Sequence, residues 1–304
     1  MGIRLRRLWM GLATVLGLAR LGYFMPSRYA AQTPGAGRRP SYEGIEKILR
    51  SRGEDFLDVV SAIVGYAVEL EKIGSDAAAI NAAGRPQPTP AGEPRWDQDW
   101  FPRLDAAAAY ALVRRLRPVR IVEVGSGHST RFFARAARDG GFGAGITAID
   151  PAPRADIAGL GIEVIAATVP AVGPGPFSRL GPGDVLSVDS SHLLMPGSDV
   201  DFLINDVLAG LPEGAIVHFH DIFLPDDYPP EWGWRAYNEQ TAIAALVHSG
   251  GYEVLWSSRY VTTRMAGALA GTVIERLALV EGAWESSLWL RKGRGDGEMK
   301  GEGK

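Results

Sequence analysis

The chain of 304 residues contains no cysteine. It can therefore form no disulfide framework, no thiolate metal site and no cysteine nucleophile, and any metal must be bound by histidine, carboxylate or backbone oxygen. A formal net charge of only −3 gives no electrostatic reason to expect a nucleic acid as partner. A reducing compartment is compatible with this composition, and we expect a cytoplasmic protein that binds no nucleic acid.

The N-terminal segment, residues 1–31, lacks an apolar run long enough to span a membrane. A span needs about 20 apolar residues, whereas the run over residues 8–19 is followed by Arg20. No small-x-small cleavage pattern of a secretory signal follows. Arg4, Arg6, Arg7 and Arg20 do not share one helical face, as they would in a clean interfacial helix. Two interpretations remain. In the first, the segment is a helix that packs against its own subunit or against a partner subunit of a homo-oligomer. In the second, it associates with a membrane surface, with its basic end on the cytoplasmic side.

Strand and helix signals alternate between residues 96 and 291. Strands separated by helical patterns predict right-handed βαβ crossovers, and the chain is long enough for one sizeable core. The sequence therefore predicts an α/β fold with a doubly wound, mostly parallel, seven-stranded sheet. The predicted strands cover residues 119–124, 146–149, 163–167, 184–189 and 215–221, with two more near 252–257 and 287–291. The sequence also predicts a loose proline-containing segment over 81–95, a helix over 234–248 and a helical insertion near 266–280.

A glycine-rich turn follows the first predicted strand. Gly125 and Gly127, with Ser126 between them, permit a sharp reversal into a helix whose free N–H groups can face a ligand. The third position of the dinucleotide fingerprint is Thr130 instead of glycine or alanine, which speaks against NAD. The alternative is an ordinary strand-to-helix turn with no ligand.

Two acidic residues lie at strand ends near this turn. Glu123 precedes the first glycine, and Asp150 ends the second strand, where it can accept hydrogen bonds from a ribose diol. The segment Glu-Val-Gly-Ser-Gly resembles that of the Rossmann-like class I methyltransferases, which use S-adenosylmethionine. The resemblance implies that this cofactor is bound by Glu123, Gly125, Ser126, Gly127, Asp150 and Asp189.

Polar residues also follow the fourth and fifth predicted strands. Asp189 and His192 leave the fourth strand, and His220 and Asp221 leave the fifth. Because neighbouring strands lie about 4.8 Å apart, these side chains can converge. Asp189, His220 and Asp221 would suit a hard cation such as Mg²⁺ or Mn²⁺. The alternative is that Asp221 caps the next turn and His220 is a core residue with satisfied hydrogen bonds.

His192 is the best candidate for a general base. In a loop, an ordinary pKa of about 6.5 would leave it largely neutral, and it could take a proton from an acceptor hydroxyl. The alternative is a solvent-exposed histidine with no catalytic role.

The spacing Asp-x-x-His at the fourth strand, with an acidic residue at the fifth, resembles the metal-dependent macrolide sugar O-methyltransferases. The resemblance implies that Asp189 and Asp221 bind the metal and that His192 is the base. The sequence departs from that family by placing His220 where the family has glutamate.

A wider similarity covers most of residues 95–240. The stretch from Gln98 to Asp105, the glycine-rich turn, the Asp-Ser-Ser-His loop and residues 220–240 are similar to those of a group of uncharacterised bacterial class I methyltransferases. Prolines and large aromatic residues between 222 and 238 suit a stiff loop that forms a wall for a sugar or aromatic acceptor. We call this segment the lid. The alternative is a surface crossover that covers the sheet edge.

These observations divide the chain into four parts: an apolar and basic segment (1–31), a linker and helical cap (32–95), a methyltransferase domain (96–291) and a disordered tail (292–304). In the class that the chain resembles, such a cap often covers the substrate. We expect S-adenosylmethionine-dependent methylation of a hydroxyl on a small molecule or sugar, with possible assistance from Mg²⁺ or Mn²⁺. The alternatives are a metal-dependent hydroxylase on the same fold, as in the related cephalosporin hydroxylases, and a non-catalytic membrane-associated scaffold.

Overall fold

A seven-stranded sheet organises the chain between residues 120 and 292. In this computed structural model, which describes residues 3–35, 37, 39–74 and 92–294, the strands are β1 Arg120–Val124, β2 Gly145–Ile149, β3 Glu163–Ile165, β4 Val185–Val188, β5 Ile216–Phe219, β6 Tyr252–Ser257 and β7 Leu288–Lys292. Their order is β3-β2-β1-β4-β5-β7-β6. The first five strands pair in parallel, whereas β7 is antiparallel to both neighbours. The predicted α/β fold, with its mostly parallel seven-stranded sheet, is confirmed.

The central strands are apolar because the sheet is covered on both faces. Every residue of β4 and β5 is buried, which is the pattern of parallel strands inside an α/β core. The first five strands end at the same edge of the sheet, and crossover helices return the chain to the other edge. The exits of β1, β4 and β5 therefore lie side by side. Of these, the neighbouring exits of the fourth and fifth strands were predicted from the sequence.

Twelve helices accompany the sheet in the described part of the chain, together with short 3₁₀ turns and a π-helical stretch at Leu203–Val207. They are α1 Ile3–Val15, α2 Glu43–Ser51, α3 Gly53–Gly65, α4 Ala67–Lys72, α5 Arg103–Leu116, α6 His128–Asp139, α7 Val169–Val172, α8 Asp199–Phe202, α9 Leu208–Gly210, α10 Glu239–His248, α11 Ser258–Arg264 and α12 Val273–Arg276.

Helices α2 to α4 contribute to the main hydrophobic core. Ile45, Phe56, Ile63 and Leu70 are fully buried within the same cluster as the sheet residues, and α3 packs on α5 and β6. The division into linker, helical cap and catalytic domain stays a prediction. Residues 81–91 of the predicted loose segment lie outside the described residues, and so do residues 295–304 of the predicted tail. Lys292, where that tail was predicted to begin, is the last residue of β7.

Two sequence-based expectations differ from the structure in detail. A helix was expected from Trp234, but α10 begins only at Glu239, because Ala236 has a positive φ of 53° and Asn238 N–H donates to the His192 carbonyl at 3.1 Å. The helical insertion expected at 266–280 is a 3₁₀ turn followed by the single turn of α12. Among the described helices, none has the length and apolar character required to cross a bilayer.

The first turn of α5 is held to the approach of β7 by one carboxylate. Glu285 Oε1 accepts a hydrogen bond from the Leu104 N–H at 2.8 Å and from Arg103 Nε at 2.9 Å. Glu285 is buried and Arg103 is only 18% exposed. The contact therefore supplies both a partner for a free helix N–H and a charge partner.

We expect Glu285→Ala to lower the free energy of unfolding by about 2 kcal/mol, since it leaves Arg103 and the Leu104 N–H without a partner. Glu285→Gln keeps an oxygen acceptor for the helix N–H and should cost clearly less. Urea unfolding of the two variants measures the difference. Equal losses in both would show that the helix N–H contact contributes little.

Candidate active site

A cavity of about 680 Å³ lies beyond the carboxyl ends of β1, β2 and β4. Its size is that of a cofactor or drug-sized ligand, and it lies where doubly wound sheets bind ligands. Four of the six cofactor residues predicted from the sequence line this cavity, and a fifth, Gly127, belongs to the same glycine turn. Those that line it are Gly125, Ser126, Asp150 and Asp189, with Tyr23, Arg154, Ser190 and Asp199 among their neighbours.

The glycine turn has a different requirement at each glycine. Gly125 has a φ of 76°, and a Cβ atom there would lie 1.9 Å from the Asp189 carbonyl oxygen, so no other residue fits. At Gly127 an added Cβ would make only ordinary contacts, the nearest 3.6 Å from Ala155 N. The Gly127 N–H donates to Thr130 Oγ1 at 2.9 Å, which helps to begin α6.

Asp150 holds the turn while facing the cavity. Its Oδ2 accepts from the Ser126 N–H at 2.7 Å, and its Oδ1 accepts from the Ala152 N–H at 2.7 Å. The Ser126 hydroxyl also donates to Oδ2, at 3.3 Å, whereas Oδ1 has a second lone pair, so Asp150 can accept a further hydrogen bond from a ligand diol. Its position at the tip of β2 is the one the sequence predicted.

Glu123 lies beneath the turn instead of in the cavity wall. It is fully buried, and Ser129 Oγ and Thr130 Oγ1 each lie 2.5 Å from its carboxyl oxygens. Burial raises the pKa of Glu123 to about 8, so the carboxyl is protonated at neutral pH. Its geometry is that of a group that joins β1 to the first turn of α6. Its predicted contact with the cofactor stays a prediction.

A second, smaller cavity of about 130 Å³ adjoins the first. The two share Arg154 and Asp189. The second cavity is bordered by the lid and by aromatic rings on several sides. Its lining includes Trp100, Arg154, Asp189, His192, His220, Asp221, Trp232, Arg235, Tyr237 and Trp284.

His192 lies between three carboxylates. Its Nδ1 is 2.8 Å from Glu239 Oε2, and its Nε2 is 3.1 Å from Asp189 Oδ1 and 3.6 Å from Asp221 Oδ2. Burial alone would lower the pKa of His192, but the hydrogen-bonded carboxylates of Asp189 and Glu239 outweigh burial and raise that pKa well above its ordinary value. The expectation of an ordinary pKa for His192 is therefore wrong. The alternative of a solvent-exposed histidine is also wrong, because the side chain is only 3% exposed.

His220 has the same arrangement on the other side of the cluster. Its Nε2 lies 3.2 Å from Asp105 Oδ2, and its Nδ1 lies 3.5 Å from Asp221 Oδ1 and 3.7 Å from Asp189 Oδ1. Burial opposes the charged form of His220, but Asp221 and Asp105 raise its pKa well above the ordinary value. In turn, the hydrogen bonds from His192 and His220 outweigh burial and hold the pKa of Asp189 far below its usual range.

The donor set predicted for a metal comes together in the structure. Ligand atoms of Asp189, His220 and Asp221 lie within 4.8 Å of one another. Ligands on opposite sides of an octahedral cation are roughly 4 Å apart, given bonds of about 2.1 Å, so small side-chain adjustments would complete the site. Carboxylate and imidazole donors fit a divalent cation such as Mn²⁺.

Several site residues were not predicted. Asp105 and Glu239 are both fully buried and each orients one histidine, and Arg235 stacks on Trp232 with its Cζ 3.9 Å from the ring centroid. An acid inside the alanine-rich stretch of α5 was a signal for Asp105. Nothing local in the sequence indicated Tyr23, which reaches the larger cavity from the N-terminal segment.

We expect Glu123→Gln to change how stability depends on pH. The pKa of this carboxyl rises from its ordinary 4.5 to about 8 on folding, so its contribution is present at acidic pH and is lost as pH rises from about 4.5 to about 8. Each pH unit within this range lowers the free energy of unfolding by at most about 1.4 kcal/mol. Glutamine keeps the hydrogen bonds and does not titrate. Urea unfolding across this range should show the wild type losing stability relative to the variant. Parallel pH profiles would contradict the assignment.

Comparison with known proteins found one matching family model and several similar solved structures. A family model described as a methyltransferase domain matches residues 122–222. Among solved structures, the chain is similar to the methyltransferase PaMTH1 of Podospora anserina bound to S-adenosylhomocysteine (16% identity, 90% of this chain and 100% of that chain covered, TM-score 0.40). It is also similar to the plantazolicin methyltransferase BpumL, in complex with a pentazolic desmethylPZN analog and S-adenosylhomocysteine (15% identity, 82% and 100% covered, TM-score 0.39).

No curated protein sequence matches the chain. The matched residues run from β1 to the exit of β5, and they supply most of the lining of the larger cavity and part of the lining of the second. With this match on strands of the sheet that border the larger cavity, residues 122–222 carry a methyltransferase domain.

Proposed function

We propose that the enzyme methylates a hydroxyl group of a small molecule or sugar bound in the second cavity, with a divalent cation to assist. The observation that supports this most strongly is the convergence of Asp189, His192, His220 and Asp221 at one cavity that adjoins the larger one. Methyl transfer needs alignment of donor and acceptor and removal of the acceptor proton. A cavity that combines a base and a cation site next to the cofactor meets both needs.

The cofactor's own chemistry leaves the protein little covalent work. When bound, S-adenosylmethionine supplies a methyl group that its sulfonium already activates. Asp150 is placed to accept hydrogen bonds from the ribose, and the turn at Gly125 to Gly127 lets the ligand lie close to the backbone. Asp189 borders both cavities, so it can contact the cofactor side and the acceptor side.

Two buried carboxylates fix which nitrogen of each histidine faces the cavity. The Nδ1–H of His192 donates to Glu239, so its Nε2 faces Asp189 and Asp221 and can receive the acceptor proton. The Nε2–H of His220 donates to Asp105, so its Nδ1 faces the same two carboxylates as a ligand. A divalent cation at Asp189, His220 and Asp221 would lower the pKa of an acceptor hydroxyl.

Two of the carboxylates that raise the pKa of His192, those of Asp189 and Asp221, are also proposed cation ligands. Binding a cation there offsets their negative charge, which favours the neutral imidazole that a base requires. Cation affinity should accordingly increase with pH, since binding displaces protons from the cluster.

We also propose that residues 1–31 associate with a membrane surface and that the protein is cytoplasmic. The exposure of the apolar residues of α1 supports the membrane association. The homo-oligomer that the sequence suggested stays a prediction.

We expect Asp150→Ala to weaken binding of S-adenosylhomocysteine about 10–100-fold, because hydrogen bonds to a charged group are worth roughly 1.5–3 kcal/mol. Calorimetry measures the affinity, with Glu123→Gln as control. If Glu123 only supports the turn, that control should bind as the wild type does. Normal binding by Asp150→Ala would show that the ribose lies elsewhere.

Asp221→Asn and His192→Asn form a matched pair, because both positions have a positive φ, 56° and 59°, which asparagine tolerates. We expect Asp221→Asn to weaken Mn²⁺ binding at least about tenfold, measured by electron paramagnetic resonance. His192→Asn should retain Mn²⁺ but lose methyl transfer by about 10²–10⁴-fold.

The transfer is measured with labelled S-adenosylmethionine on a panel of hydroxylated sugars and phenols. Full transfer in excess chelator would refute the role of the cation. If Asp221→Asn and His192→Asn weakened Mn²⁺ binding equally, the proposal that Asp221 is a cation ligand and His192 is the base would be refuted. Oxygen consumption coupled to turnover would favour the hydroxylase alternative.

A further inference from the structure

The apolar face of α1 points away from the protein. Its large side chains Leu5, Leu8, Trp9, Leu12 and Val15 are each between 53% and 60% exposed. They recur at three- and four-residue spacing and therefore form one stripe along the helix. In a globular protein such a stripe normally faces the core, so here a covering partner is expected.

The opposite side of α1 fixes this orientation. The guanidinium of Arg7 stacks on the ring of Trp234 in the lid, with its Cζ 3.6 Å from the ring centroid, and Ala13 is buried. Further along, Tyr23 lines the larger cavity. The polar contacts of this segment are thus made with the protein, and its apolar residues are directed outward.

The exposed apolar residues are concentrated in this part of the chain. Of the nineteen exposed large hydrophobic residues in the described structure, eleven lie between residues 5 and 29. Beyond the helix they include Leu16, Leu18, Phe24 and Met25. A patch of this kind on a soluble chain is typical of a contact surface.

The charge of the segment identifies the partner's chemistry. Residues 1–42 contain seven arginines and no acidic residue. Because the whole chain carries −3, the remaining residues carry −10. A basic helix that carries Trp and Leu but is too short to span a bilayer suits the interface of an anionic membrane. There each basic residue contributes about 1 kcal/mol to the free energy of membrane binding.

We infer that residues 3–29 lie on the surface of an anionic lipid bilayer, with the stripe of α1 inserted among the headgroups. This identifies the partner in the surface association proposed above and does not depend on the methyl-transfer chemistry. The lid and the larger cavity, which contact this segment through Trp234 and Tyr23, then lie close to the membrane.

Flotation of the full chain with vesicles tests the inference. The wild type should float with vesicles of phosphatidylcholine and phosphatidylglycerol in equal parts, and should bind vesicles of phosphatidylcholine alone much more weakly. The double variant Leu8→Glu with Leu12→Glu should bind at least about tenfold more weakly. The matched control is Val68→Glu with Val119→Glu, at residues 61% and 64% exposed elsewhere, and should bind as the wild type does.

A charge variant separates electrostatic from apolar contributions. Arg6→Ala with Arg20→Ala should weaken binding to the anionic vesicles about fivefold for each arginine, and added salt should have the same effect on the wild type. Two results would overturn the inference: a wild type that fails to float, or a concentration-dependent dimer that the Leu8 and Leu12 changes abolish, which would make the stripe an interface between copies.

S-adenosylhomocysteine affinity is measured in parallel on every variant. Normal affinity in the non-floating leucine variant shows that the fold is intact and assigns the loss to the stripe. A wild type that floats without binding S-adenosylhomocysteine would refute the proposed function alone. A wild type that binds S-adenosylhomocysteine without floating would refute this inference alone.

Discussion

The contact between Gly125 and Asp189 is the constraint on which both cavities depend. The Asp189 N–H donates to the Val124 carbonyl at 2.8 Å, and the Asp189 carbonyl lies where a Cβ of residue 125 would otherwise be. The exit of β4 is thereby held against the turn that follows β1. Asp189 can border both cavities only because of this approach. A larger residue at position 125 would displace the exit of β4 and so disturb the second cavity as well as the first. Its effect would therefore not report on ligand binding in the larger cavity alone.

The second cavity concentrates buried charge at a cost to stability. Two histidines and four carboxylates lie together here, with each carboxylate within 3.5 Å of a histidine nitrogen, and Asp105 and Glu239 are fully buried. Buried charges contribute little net stability even when paired. His192 and Asp221 also have left-handed backbone conformations, which cost energy for residues other than glycine. Charge and strain that do not serve the fold indicate a functional site.

The sequence predicted what local patterns encode. The β-branched runs and glycine turns predicted the seven strands, because each strand carries its own apolar signal. Asp189, His192, His220 and Asp221 were predictable because parallel strands end at one edge. Glu239 and Asp105 were missed because their contacts with the histidines span 47 and 115 residues of sequence. The outward stripe of α1 was missed for a similar reason, since only packing decides which face of a helix is covered.

His220 bears directly on which cation the site would bind. The metal-dependent methyltransferases that the sequence resembles have glutamate here, and imidazole removes one negative charge from the donor set. Asp105 orients this imidazole: its Oδ2 accepts a hydrogen bond from Nε2–H of His220, with 3.2 Å between the nitrogen and the oxygen. As a result, Nδ1 of His220 faces Asp189 and Asp221. Imidazole suits transition metals better than Mg²⁺, which prefers oxygen donors. Two carboxylates and one oriented imidazole would therefore favour Mn²⁺ over Mg²⁺ at the proposed site, so the replacement would change the preferred metal while leaving three donors.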